Sequence, residues 1–369
     1  MKILQIISSK DTGGGSQEHT RILSLGLQNR GHKVKVICRP GSLAEAYKKN
    51  GLEVYTLELR EKRKAIRELV DLIREERFDV VHTHNRDGDV PGLIAAKKAG
   101  TSLIVSTIHA YINKDKLGNR KMNFPLWKYN RILKKIPHKI ITLSEALRGH
   151  ILQELRINPE RVVTILNGVD LNRLKVSSER NVVKKELGIP EEAKVIGSVG
   201  HLIALKGYRY LIEASVEVLK AFPETRFAMV GEGNLRRELE ELAKELRVRG
   251  NFIFTGKVAE VGNILQILDL FVHPSLSEGL PRSVMEASGV GIPVVATNVG
   301  GIPEVVRNKE TGVLVPAKNS QALAKAITYL LNHPEEAREM GEKGKRWIEE
   351  NFDVSRMVDE TETILKNAL

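Results

Sequence analysis

The sequence predicts an α/β protein built from two doubly wound, parallel-sheet domains. Three observations point there. At 369 residues the chain exceeds what one ordinary core organises and suits two domains of roughly 170 to 190 residues. Short apolar runs alternate with amphipathic stretches, the pattern of strand–helix–strand units. That rhythm restarts after Asn167-Gly168-Val169-Asp170.

In the first half, residues 3–7 read as a strand, 17–30 as a helix stopped by Gly31, and 33–38 as a second strand. Residues 54–57 follow, then a charged helix over 61–76. Val80-Val81 leads into His82-Thr83-His84, 91–99 is helical, and 103–107 is a strand running to His109. Strand 139–143 and helix 146–155 come after a basic stretch. In the second half, strand 194–199, helix 208–222, strand 226–230 and helix 234–247 come first. Residues 252–254, 264–268, 270–272, 294–296 and 312–315 complete a second sheet. The polar stretch 172–178 reads as a linker, and helices from Ser320, from Glu335 and over 354–367 close the chain. The expected division is a first domain over 1–172, a second over 173–350, and a final helical segment over 351–369.

The apolar content, 41%, is that of a soluble globular protein, and no apolar run approaches the ~20 residues that cross a bilayer. Residues 1–9 are too short for a signal-peptide core and read better as the first strand. Cys38 is alone, which argues against a disulfide framework or a thiolate metal cluster, so a cytosolic protein is expected. The net charge of +12 is uneven: residues 1–170 carry 31 Lys/Arg against 18 Asp/Glu, and residues 171–369 carry 27 against 28. Residues 112–139 hold nine basic side chains, including Lys114, Lys116, Arg120 and Lys121, against Asp115 alone, with Phe124, Trp127 and Tyr129 interleaved. Such a stretch can lie on an anionic membrane, which would make the protein peripheral on the inner face of the cytoplasmic membrane. The plain alternative is a solvated helix with its apolar face in the core. With no recognition motif present, nucleic acid ranks last.

Glu278 and Glu286 bracket the run Glu278-Gly279-Leu280-Pro281-Arg282-Ser283-Val284-Met285-Glu286. The first follows a buried strand that ends in His273-Pro274-Ser275; the second is expected about two turns inside the next helix. A strand, a small-residue loop and a helix start make an anion site, because the first N–H groups of a helix lack partners. The inner carboxylate is then left to accept hydrogen bonds from a vicinal diol such as a ribose. Phosphate, ribose and a polyhydroxylated group together indicate a nucleotide-sugar.

This block, with Gly291-Ile292-Pro293-Val294-Val295-Ala296-Thr297 and Gly300-Gly301-Ile302-Pro303-Glu304 after it, closely resembles the retaining GT-B glycosyltransferases of family GT4. The resemblance implies two Rossmann-like domains facing each other across a cleft, the last helix returning to the first domain. It implies transfer of a hexose from a UDP- or GDP-linked sugar, without a metal, to a glycan or lipid-linked acceptor, as in lipopolysaccharide or cell-envelope polysaccharide synthesis. A catalytically impaired GT-B binding subunit and a GT-B sugar-nucleotide epimerase are the alternatives.

The resemblance also implies roles for residues. Glu278 contacts sugar hydroxyls and Glu286 the ribose. Gly14 and Gly15, in Thr12-Gly13-Gly14-Gly15-Ser16-Gln17, match the family's loop at the donor phosphates, although Gln17 stands where the family often has Glu. His109 matches a sugar-contacting His at a strand's carboxyl end. In Gly200-His201-Leu202-Ile203-Ala204-Leu205-Lys206-Gly207, Lys206 neutralises the diphosphate, and His201 replaces the family's usual Arg. Gly231 and Gly233 underlie the nucleotide, and backbone at Lys257 and Val258 reads the base. Ser277, Gly279 and Leu280 offer N–H groups to the diphosphate, with Arg282 as a further cation.

Gln17, His84 and Ser144 are the candidates for touching the acceptor, and the segments 85–89 and 111–123 are expected as acceptor-choosing loops. His82 and His84 are expected on opposite faces of their strand, which argues against a shared metal. No Asp-x-Asp in a metal-binding setting and no other plausible ligand cluster is legible, so neither cofactor nor metal is expected.

Overall fold

Seven parallel strands form the first sheet: β1 (Lys2–Ile7), β2 (Lys33–Cys38), β3 (Glu53–Thr56), β4 (Val80–His84), β5 (Leu103–Ile108), β6 (Lys139–Thr142) and β7 (Val162–Thr164). Their spatial order is β3-β2-β1-β4-β5-β6-β7. The helices between them are α1 (Gly15–Asn29), α2 (Ser42–Lys49), α3 (Lys62–Glu76), α4 (Arg86–Ala99), α5 (Leu126–Lys135) and α6 (Glu145–Leu155). The computed structural model describes residues 1–111 and 125–369. Lys114, Lys116, Arg120, Lys121, Phe124 and most of the expected loop 111–123 lie outside the described residues.

The second sheet has six parallel strands, β8 (Val195–Val199), β9 (Arg226–Val230), β10 (Phe252–Gly256), β11 (Leu270–His273), β12 (Val294–Thr297) and β13 (Val313–Val315), ordered β10-β9-β8-β11-β12-β13. Its helices are α7 (Arg180–Glu186), α8 (Tyr208–Ala221), α9 (Arg236–Glu245), α10 (Val261–Leu265), α11 (Arg282–Gly289), α12 (Ile302–Val305), α13 (Ser320–Asn332) and α14 (Pro334–Asn351). The last helix, α15 (Val354–Ala368), leaves this unit and packs on α1. The chain divides into one unit of Met1–Gly168 with Val354–Leu369 and another of Val169–Asp353.

In both sheets the order reverses beside the first strand, between β1 and β4 and between β8 and β11. Loops leaving the carboxyl ends of strands that flank such a reversal splay apart and leave a crevice, the usual ligand position in an open parallel sheet. The strands there are buried on both faces. In β4 all five residues are buried, including His82, Thr83 and His84.

Several local expectations need correction. Residues 264–268 are not a strand: α10 ends at Leu265, and Ile264, Leu265, Ile267 and Leu268 are buried at helical spacing around half-buried Gln266. The first turn of α4 begins at Arg86, so 86–89 is helical and not a loop. Pro91 lies inside α4, in its second turn, where it leaves the Asp87 carbonyl without its usual N–H donor. The short α2 and β7 carry too few apolar residues to announce themselves. The polar stretch 172–178 is held on the second unit, where the Ser177 and Ser178 N–H groups donate to Asn263 Oδ1 at 2.9 and 3.3 Å.

Candidate active site

In the second unit, β8 runs out through Gly200-His201-Leu202-Ile203 into a turn at Ala204–Lys206, and α8 starts after Gly207. Gly207 has φ 63°, and a Cβ on it would stand 2.1 Å from the Pro274 carbonyl oxygen. Only glycine allows that approach, which brings the loop after β8 against the loop after β11. The Leu276 N–H donates to the Leu205 carbonyl at 2.8 Å and holds the two together. Lys206 is thereby placed over Glu278, with Nζ 2.5 Å from Oε1.

The same Glu278 oxygen accepts from His273 Nε2 at 2.8 Å and from the Ser275 hydroxyl at 2.6 Å. Burial opposes ionisation of Glu278, but the Lys206 charge and the hydrogen bonds outweigh it and hold the carboxyl far below its ordinary range. Burial lowers the pKa of His273, with Glu278 opposing, so the ring serves as a neutral donor. Glu278 Oε2 has no hydrogen-bond partner among the described residues. His273 and Ser275 are the functional neighbours that sequence reasoning missed. Both lie in the His-Pro-Ser run beside Glu278, but nothing in the run says that their side chains converge on the carboxylate.

Glu286 is 8% exposed and lies one turn inside α11, not two, because the helix begins at Arg282. Ser277, Gly279 and Leu280 consequently precede the helix and do not belong to its first turn. Arg282 Nε and Nη2 both donate to Glu286 Oε1, at 2.9 and 2.7 Å, so this guanidinium is committed to the carboxylate. Gly231, at φ 134°, and Gly233 sit against backbone: added Cβ atoms would meet the Gly200 and Leu202 carbonyl oxygens at 2.0 and 2.2 Å. These two glycines therefore have a packing role, locking the loops after β8 and β9. His201 and Lys257 are exposed, and Val258 is half-buried.

In the first unit, Gly14 precedes α1 at the carboxyl end of β1, and Gly15 opens the helix. The Gln17 amide folds back over Gly14, donating to the Ser9 hydroxyl at 3.0 Å and accepting from Ser16 at 3.0 Å. Asn85, at φ 67°, follows β4 and donates to the Ser16 hydroxyl at 2.9 Å, tying the glycine loop to the end of that strand. Ser144 is fully buried and caps α6 by accepting from the Leu147 N–H, which accounts for its identity without an acceptor. His84 is likewise fully buried and not open to an acceptor.

His82 and His84 do not point to opposite faces. Residues two apart on a strand share a face, and their ring centroids lie 4.3 Å apart. Helix α1 and the end of β5 bring His19 and His109 to the same place. One ring nitrogen each of His19, His84 and His109 lies within 4.8 Å of the other two, a cluster invisible in sequence because its members are far apart along the chain. Burial lowers the pKa values of His19 to about 4 and His82 to about 3, and those of His84 and His109 well below the ordinary value. On the other face of β4, Asp89 is fully buried and accepts from the hydroxyls of Thr83, Ser106 and Tyr129. In Asp87-Gly88-Asp89, then, the second carboxylate is enclosed by protein hydroxyls.

Two family models match the chain: Glycosyltransferase Family 4 over residues 13–173 and Glycosyl transferases group 1 over residues 179–347. The Escherichia coli UDP-Gal:alpha-D-GlcNAc-diphosphoundecaprenol alpha-1,3-galactosyltransferase is 26% identical over 82% of this chain and 80% of its own length. The Bacillus anthracis N-acetyl-alpha-D-glucosaminyl L-malate synthase is 25% identical over 82% and 78%. Among solved structures, Anabaena HepE in complex with UDP-glucose covers both chains fully with a TM-score of 0.89 at 21% identity, a likeness of fold. The chain belongs to the GT4-type, GT-B-fold glycosyltransferases of group 1 and is a glycosyltransferase.

Proposed function

We propose that this glycosyltransferase moves a hexose from a UDP- or GDP-linked sugar to a lipid-linked or glycan acceptor, retaining the anomeric configuration and using no metal on the diphosphate. One observation carries this reading. Among the described residues, the hydrogen bonds to Glu278 and Glu286 fall on Oε1 in each case, from Lys206, His273 and Ser275 to the first and from Arg282 to the second. The second oxygen of Glu278 suits the hydroxyls of the transferred sugar, and that of Glu286 suits a ribose diol. Lys206 exchanges Glu278 for phosphate oxygens when donor binds, and so meets the charge that develops on the leaving group. His109, partly exposed at the end of β5, offers its ring to a sugar hydroxyl. The acceptor attacks from the face that the phosphate leaves, and a phosphate oxygen takes its proton.

A thermal-shift screen of UDP-, GDP- and ADP-sugars tests the donor, since a bound donor stabilises by mass action. A UDP- or GDP-sugar is expected to raise the melting temperature, nucleotide release is expected to persist in EDTA, and the product anomer is expected to match the donor's. Release abolished by EDTA, or an inverted product, would overturn the corresponding part of the proposal.

A lipid-linked acceptor is supported by the surface of α5. Trp127 is 63% exposed, and with Lys97, Lys128, Arg131, Lys135 and Ile136 it lines a shallow groove. An exposed indole among cations suits an anionic headgroup layer. The E. coli relative's name describes a diphosphoundecaprenol-linked acceptor, which agrees with this reading. No helix among the described residues is long and apolar enough to cross a membrane. Vesicle flotation is expected to require anionic lipid and to weaken with salt; flotation indifferent to both would remove the membrane from the proposal.

A further inference from the structure

The histidines at the carboxyl end of the first sheet have a hydrogen-bond pattern that goes beyond packing. Gln5 Oε1 can only accept, so at 2.6 Å it fixes the proton of His84 on Nε2 and leaves the Nδ1 lone pair facing the cluster. Asn167 Oδ1, 3.0 Å from His19 Nδ1, does the same for His19, leaving its Nε2 as the acceptor nitrogen. That Nε2 is buried with no hydrogen-bond partner among the described residues, on a side chain that is 3% exposed. His109 Nε2 completes the group, 3.2 Å from His84 Nδ1. Two rings are thus oriented from behind by amide oxygens, the arrangement in which an imidazole presents a fixed lone pair to a metal ion.

We propose that His19 Nε2, His84 Nδ1 and His109 Nε2 form a binding site for one divalent transition-metal ion of the zinc class, with a fourth position open. Three imidazoles without carboxylates or thiolates suit Zn2+, and Co2+ as its spectroscopic substitute, far better than Mg2+ or Ca2+. Tetrahedral arms of about 2.0 Å to imidazole nitrogens put neighbouring ligand atoms about 3.3 Å apart. The His84–His109 pair already stands at 3.2 Å. One ring nitrogen of each residue lies within 4.8 Å of the other two, so closing the site asks His19 for a shift of about 1.5 Å by the same geometry. His109 moves its proton to Nδ1 to free Nε2, and its partly exposed ring marks the route by which an ion enters. The ion would occupy the His109 ring that the proposed function offers to a sugar hydroxyl, so zinc would compete with the sugar. That last consequence rests on the proposed function, whereas metal binding does not.

The test is titration of chelator-treated full-length protein with Co2+, read by visible d–d absorption and reversed by Zn2+. One equivalent is expected to bind, with the intense bands of a four- or five-coordinate ion. His19→Gln and His84→Ala are each expected to weaken binding at least about 10-fold, while His333→Ala, an exposed histidine of the other unit, is expected to leave it unchanged. X-ray absorption of the wild-type zinc complex needs no variant and is expected to count three imidazole ligands. Absence of the bands at one equivalent, binding retained in a folded His19→Gln variant, or fewer than three imidazoles would each overturn the proposal. Sugar-nucleotide binding by metal-free protein is measured separately, so failure of the donor reading is distinguishable from failure of the metal site.

Discussion

Glu278 and Glu286 have the same side chain and opposite settings. The Glu278 carboxylate is held ionised by Lys206 beside His273 and Ser275, and on the proposed function this cluster reorganises when Lys206 is drawn to a diphosphate. Glu286 is braced by Arg282 one turn away on the same helix, and on the proposed function it keeps that partner. Glu278→Gln is therefore expected to lower kcat, on the order of 100-fold, with a smaller change in donor KM. Glu286→Gln is expected to raise donor KM about 10-fold, the worth of one charge-assisted hydrogen bond. Steady-state kinetics of both variants check the division, and indistinguishable profiles would refute it. Gly207 tests the scaffold beneath them. Its left-handed backbone and the Pro274 carbonyl 2.1 Å from an added Cβ make Gly207→Ala doubly unfavourable. It is expected to cost about 2–3 kcal/mol in urea unfolding. A loss below about 0.5 kcal/mol, the range of an ordinary surface change, would mean that the loops after β8 and β11 are not wedged as described.

At the scale of elements, Asp89 joins α4 to β4, β5 and α5 through three hydroxyls. Burial, opposed by those hydroxyls, raises its pKa from 3.8 to about 6. The folded protein thus holds this proton more tightly than the unfolded chain does. The carboxyl's contribution is full below about pH 4 and is lost as pH rises through about 6, a swing on the order of 3 kcal/mol. Asp89→Asn removes the titration and keeps an acceptor for Thr83 and Ser106. The wild-type advantage over this variant is expected to shrink between pH 4.5 and pH 8 by about 2 kcal/mol, two thirds of the full swing because pH 4.5 already lies above the unfolded value, measured by urea unfolding at both. Other titrating groups are common to the two proteins, so a constant difference across that range would contradict the assignment. The same region marks the limits of sequence reading. Strand β4 was legible as a strand, but the convergence of Thr83, Ser106 and Tyr129 on Asp89, and of His19 and His109 on His84, is created by strand order and appears in no local pattern. At residues 264–268 the apolar run fits a strand and a helix alike until half-buried Gln266 is found between two buried pairs.

At the scale of the whole molecule, the two units were legible because their strand–helix rhythm restarts, and the second unit's loops because Glu278, Glu286 and the neighbouring glycines sit close together in sequence. The first unit's site was less legible because its contributors come from five separated segments. Its unit is also completed from the far end of the chain, which passes between the units twice, at 168/169 and 353/354. Met357, Val358 and Leu365 of α15 are at most 1% exposed and share a core with Ile3, Leu23, Leu27 and Val34. Gly26 of α1 makes the approach possible, since a Cβ there would lie 2.6 Å from a Val358 methyl. His32 Nε2 and Glu362 Oε1, 2.7 Å apart, fix the register along the helices. Each of the three apolar side chains contributes about 1.5–3 kcal/mol by its burial, and a domain's whole margin is about 5–15 kcal/mol. Deleting residues 354–369 is therefore expected to unfold the first unit while the second, whose core draws nothing from α15, keeps its structure. Gly26→Leu is the milder version, expected to cost about 1–3 kcal/mol by prying the helices apart. Hydrogen exchange read by mass spectrometry separates the units. Peptides from β1, α1 and β2 should lose protection in both variants, and peptides from β8, β9 and β11 should not. Equal loss in the two sets would show that α15 supports the second unit as well, and would remove the basis for treating the two cores as independent.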